Sequence, residues 1–132
     1  MKGYITNVES EALENTNFRK VLYTSDHSQL VLMSLLPGED IGEEMHHTND
    51  QFFRIESGEG IFVLDGVKHT VKEGDAIMVP MGARHNLINS GKHQLLKLYT
   101  IYSPPHHRDK IVRLTKKEAT ENQALYQGVT TE

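Results

Sequence analysis

At short intervals along the chain a glycine-bearing turn signal closes a brief run of β-branched and aromatic residues: Pro37-Gly38, Ser57-Gly58, Asp65-Gly66, Glu73-Gly74 and Ser90-Gly91. No long helix survives such punctuation, whereas an antiparallel all-β domain requires it. The runs between the turns predict strands over Phe18 to Tyr23, Gln29 to Leu36, Glu43 to His47, Gln51 to Glu56, Gly60 to Leu64, Val67 to Val71, Ala76 to Val79, Arg84 to Asn89 and Leu95 to Tyr102. That spacing implies a sandwich or a barrel. Asp65-Gly66 sits between Ile61-Phe62-Val63-Leu64 and Val67 and reads as a tight hairpin, because Asp-Gly accepts the positive φ angles of a primed turn. Thr115 to Gln127 has helical propensity but a thin apolar stripe, which predicts a short surface helix followed by a loose tail. At 132 residues the chain suits one hydrophobic core, here a barrel over about residues 18–103 with a C-terminal extension over 104–132.

Composition removes several classes of function. The absence of cysteine excludes a disulfide framework, a thiolate metal site and a cysteine nucleophile, leaving oxygen and imidazole as ligands. A net charge of -4 with the two signs interspersed offers no basic footprint for nucleic acid or for an anionic membrane. Met1 to Ser10 contains no apolar run of signal-peptide length, and no stretch reaches the ~20 apolar residues of a membrane span. The expectation is a cytoplasmic protein whose partner is a small molecule.

Two of the eight histidines stand within ordered glycine and proline spacings. Gly38, Glu44, His46, Gln51 and Gly58 form a first motif; Gly74, Pro80, Gly82, His85 and Asn89 form a second, within GDAIMVPMGARHNLIN. In this the chain resembles the cupin family, whose first motif runs from glycine through a His-x-His pair to glutamate and glycine. The second motif is complete, and the interval from Glu59 to Lys72 has room for one hairpin, as in compact microbial members. The resemblance implies a double-stranded β-helix, a jelly-roll barrel, holding one divalent metal ion on Glu44, His46, Gln51 and His85. Glu44 replaces a family histidine and Gln51 the family glutamate, so a single carboxylate is kept.

A physical reading of the residues agrees. Side chains two apart on a strand share a face, so Glu44 and His46 point one way and His47 the other, toward the surface. Gln51 begins the next strand, and His85 follows the Pro80-Met81-Gly82 bend. Gln51 has a second possible role, hydrogen-bonding a metal-bound water. Two imidazoles, a carboxylate and an amide oxygen suit Zn, Fe, Mn, Co or Ni. Phe53 and Ile55 belong to the core, Arg54 to the opposite, solvent-exposed or dimer-edge face. Tyr99, Tyr102, His106 and His107 read as an exposed loop after the last strand, in preference to a cover over the barrel mouth.

Three functions fit this pattern. The first is a Lewis-acid metalloenzyme of isomerase or tautomerase type acting on a sugar, sugar acid or keto compound, with Glu44 as general base. The second is a non-haem Fe(II) dioxygenase, since two histidines and one carboxylate make that ligand set. The third is a non-catalytic module that binds a metabolite or a metal. A homodimer is expected, pairing through Tyr4 to Val8 or Phe18 to Tyr23.

Overall fold

The computed structural model describes residues 2–132, so Met1, the first residue of the stretch searched for a leader, lies outside them. The described elements are α1 (Val8–Glu14), β1 (Arg19–Thr24), β2 (Gln29–Leu35), β3 (Asp50–Ser57), β4 (Glu59–Leu64), β5 (Val67–Lys72), β6 (Ala76–Val79), β7 (His85–Asn89), β8 (Leu96–Ser103), β9 (Val112–Arg113) and α2 (Lys116–Glu121). The strands form a six-stranded sheet in the order β6-β3-β8-β2-β1-β9 and a three-stranded sheet in the order β5-β4-β7. Every pairing is antiparallel. This is the jelly-roll barrel that the turn spacing and the two motifs imply.

Period-two alternation decides what faces inward. On β3 and β8 the opposed pairs Gln51↔Tyr102, Phe53↔Thr100 and Ile55↔Leu98 are all buried. Phe52 and Tyr99 project to the outer face, where their rings lie 6.2 Å apart. Arg54 shares that face and sits 3.5 Å from Glu56, a neighbour on the same strand. On β7, His85, Leu87 and Asn89 turn inward. Phe53 of the large sheet meets Phe62 of the small one edge-to-face at 5.0 Å, within a core that includes Ile55, Leu87, Leu96 and Leu98. Burial of each such side chain contributes about 1.5–3 kcal/mol.

Two turns show why glycine stands where it does. Asp65 and Gly66 both have positive φ, 49° and 82°, as the predicted β4–β5 hairpin requires. Gly58 has φ +94°, and a Cβ there would lie 2.6 Å from the carbonyl oxygen of Leu95, so any side chain would push β3 away from the start of β8.

Several expectations need correction. Glu43 to His47 is not a regular strand. Its only ladder element is the bridge Glu44↔His85, closed by two hydrogen bonds of 2.8 Å. Beyond it, the His46 carbonyl accepts from Gly82 N–H, so the segment pairs with two separate places and cannot run as a strand. The short surface helix expected within Thr115 to Gln127 is present as α2, but the tail beyond it is not loose. Ala124 accepts from Arg108 N–H, Tyr126 N–H donates to His106, and Thr131 N–H donates to Thr24. These are backbone bonds, which leave no hydrophobic periodicity to read. Tyr4 to Val8 is no strand either: Tyr4 stacks on Tyr23 at 5.5 Å, and Val8 opens α1, capped by Asn7. Among the described residues no helix is long and apolar enough to cross a membrane.

Candidate metal centre

Two strands and one irregular segment deliver the four candidate ligands. His85 opens β7, where the bend at Pro80 to Gly82 ends, and its ring is fully buried. Its backbone pairing with Glu44 places the two residues opposite each other. His46, two residues on, returns to the same side, with Nε2 3.1 Å from Glu44 Oε2. Gln51 enters from β3, its Oε1 3.2 Å from His85 Nε2. The ligand atoms of Glu44, His46 and His85 all lie within 4.8 Å of one another, with His85 Nε2 3.9 Å from Glu44 Oε2. Donors held about 2.1 Å from a tetrahedral ion sit about 3.4 Å apart, so these separations fit a first-row divalent metal.

The proton count at His85 is a second test of that fit. Gln51 Nε2 donates to Thr100 Oγ1 at 2.9 Å, which turns Oε1, an acceptor, toward the centre. His85 Nδ1 faces another acceptor, the Ala83 carbonyl, at 3.2 Å. Burial lowers the His85 pKa, with the backbone contact and Glu44 opposing, so the ring is held neutral and carries one proton for two acceptors. With Nδ1–H on the carbonyl, the Nε2 lone pair, the Gln51 oxygen and the Glu44 carboxylate converge without a hydrogen between them. A cation reconciles that arrangement, and a carbonyl on the far ring nitrogen is the usual way a ligating histidine is oriented. Burial also pushes the Glu44 carboxyl up, but the His46 contact and the charge of Arg19 outweigh it and hold the group below its usual value. Glu44 is thus anionic and, at 31 % exposure, the most accessible of the four.

The cover of this centre is where sequence reasoning fell short. Tyr102, His106 and His107 do not form an exposed loop. The His106 ring packs edge-on to His46 with centroids 4.5 Å apart and stacks on Tyr102 at 5.3 Å. His107 Nε2 lies 3.2 Å from the Tyr102 hydroxyl. Burial lowers the His106 pKa to about 4, with the nearby His46 adding to the effect, and it holds His107 well below its ordinary value too. Both rings are neutral at physiological pH. The histidine pair had one legible signal, its position directly after the last strand; Thr100 and Arg19 had none. His47 is exposed, and Phe53 and Ile55 are in the core, as expected.

A sequence model described as cupin domain matches residues 31–102. The uncharacterized protein L612 of Acanthamoeba polyphaga mimivirus is 51% identical over 108 residues, covering 79% of this chain and 67% of that protein. The chain spans about two thirds of the length of the curated relatives that it matches over most of its own. A crystal structure of BH2720 from Bacillus halodurans superposes with a TM-score of 0.89 at 39% identity, covering 92% of this chain and 96% of that one. Over 67 residues the chain is also 31% identical to a mannose-1-phosphate guanylyltransferase of Escherichia coli, 51% of this chain against 14% of that enzyme. The matched span runs from within β2 to within β8 and takes in all four candidate ligands, and the chain is a member of the cupin family.

Proposed function

We propose that this cupin is a metalloenzyme of isomerase or tautomerase type, acting on a small oxygenated compound such as a sugar, a sugar acid or a keto acid. The observation that carries the reading is the convergence of Glu44, His46 and His85 within 4.8 Å, with the Gln51 oxygen beside them. A divalent transition metal bound there supplies Lewis-acid polarisation of a carbonyl or hydroxyl oxygen. The chain supplies the rest. His46, His85 and the amide of Gln51 are fixed by burial, while Glu44 reaches the adjoining cavity and is ionised, the state in which a carboxylate accepts a proton from carbon. The neutral rings of His106 and His107 and the buried Tyr102 hydroxyl cover one side of the centre without adding charge. The partial likeness to a sugar-nucleotide enzyme supports a sugar-derived substrate.

Substitution Glu44→Gln tests the role. Metal content, by elemental analysis, is expected to survive, because an amide oxygen still offers a ligand. Deuterium uptake from D2O into a panel of keto acids and keto sugars, read by NMR, is expected to fall about 100-fold or more. Uptake equal to that of the parent protein removes Glu44 as the base. The composition of two histidines and one carboxylate favours a dioxygenase as the second reading. Oxygen consumption by iron-loaded protein over diols and diketones, with no deuterium uptake, selects it over the first.

A further inference from the structure

Beside the metal centre the barrel and the C-terminal segment border a partly open cavity of about 150 Å3, lined among others by Phe18, Arg19, Glu44, His106 and Lys116. A space of that size takes a molecule on the scale of benzene. Its two cations differ in one respect. Lys116 is committed to Asp40, whose carboxylate it contacts directly. Arg19 has no side-chain hydrogen bond or ion pair with any described residue, and its Nε is shut off from solvent with no partner. A guanidinium cannot shed its charge, and although its Cζ lies 5.4 Å from the centroid of the Phe18 ring, that contact leaves the Nε–H without an acceptor.

We propose that Arg19 anchors the carboxylate of a small organic acid in this cavity, holding the neighbouring oxygenated carbon against Glu44 and the metal centre. The inference rests on the enzymatic reading above and narrows its substrate class to acids. A planar guanidinium matches a carboxylate through two parallel hydrogen bonds. A dianionic phosphate is the poorer occupant, because the Glu44 carboxylate lines the same small space and repels the second charge. Arg19 lines the same cavity as Glu44, His106 and His107, so an anion held there sits beside the centre.

Calorimetric titration of metal-stripped and metal-loaded protein with 2-oxobutanoate, with the uncharged ketone 2-butanone and with inorganic phosphate tests this. The acid is expected to bind both metal states and to bind more tightly than either comparison compound. Arg19→Met is expected to lower its affinity about tenfold to a hundredfold with metal content unchanged, and Arg19→Lys to recover part of the loss. Equal affinity in Arg19→Met and the parent overturns the anchor, as does tighter binding of phosphate, or no binding of the acid by the parent at millimolar concentration. Recovery by lysine separates an anchoring charge from a packing role. Because the stripped protein is titrated as well, a protein that binds the acid but neither retains metal nor exchanges deuterium keeps the anchor and loses the enzymatic reading. Exchange that persists with equal binding by Arg19→Met does the reverse.

Discussion

Thr100 touches no substrate and carries no charge, yet its hydroxyl decides which end of the Gln51 amide reaches the centre. By accepting from Nε2 at 2.9 Å it leaves Oε1 facing His85, whereas the reversed amide would present a donor to a cation. Thr100→Val keeps the shape and removes the acceptor. Metal affinity, measured by competition with a chelator, is expected to fall about tenfold to a hundredfold, the usual cost of losing a group that orients a ligand. Affinity equal to the parent's would mean that Gln51 is held by something else, or takes no part. Glu44, His46 and His85 were legible because family spacing and the two-residue strand period single them out. Thr100 and Arg19 were not, since each acts on a residue far away in sequence. Gln51 and Thr100 are 49 positions apart and meet only because β3 pairs with β8.

Among the elements, the C-terminal segment departs most from the sequence reading. Hydrophobic periodicity identifies a helix by its buried stripe, and α2 buries only Ala119, so a short helix was legible but its docking was not. What docks it is polar: Lys116 of α2 pairs with Asp40 on the loop that precedes Glu44. The hydrogen bond from Lys116 is the largest influence on Asp40 and holds its carboxyl below the ordinary range. A folded-state pKa below the unfolded one adds stability above the unfolded value, near 3.9, and that stability is lost as pH falls through the folded value. Both partners are about one-third exposed, so the pair contributes no more than about 1 kcal/mol. Lys116→Met is therefore expected to lower the melting temperature slightly at pH 7. The difference should close once the pH falls below the carboxylate range; a gap that persists there assigns the effect to lost packing of α2. The β-elements were more transparent, because Asp65-Gly66 and the alternation on β3, β7 and β8 are local patterns that tertiary context did not override.

For the whole molecule, the open question of assembly turns on which sheet edges remain available. Of the two segments nominated from sequence, Phe18 to Tyr23 is no edge, because β9 pairs with β1 at Arg19 and Lys20, and Tyr4 to Val8 forms no strand. Of the outer strands, β9 is two residues long, and β5 carries Lys68 and Lys72, the kind of charge that blunts an edge. β6 differs. It is the outer strand of the six-stranded sheet, reads Ala-Ile-Met-Val without a charge, and leaves Met78 63% exposed, with Met81 58% exposed just beyond it. An unprotected apolar edge invites a second copy, and antiparallel pairing of β6 with itself satisfies a two-fold axis. Light scattering is accordingly expected to give twice the chain mass of 15.0 kDa, and Met78→Lys, which sets two like charges against each other across that axis, to return it to the monomer value. A parent protein that already scatters as a 15.0 kDa particle would exclude the dimer, and a Met78→Lys variant that stays dimeric would move the interface away from β6.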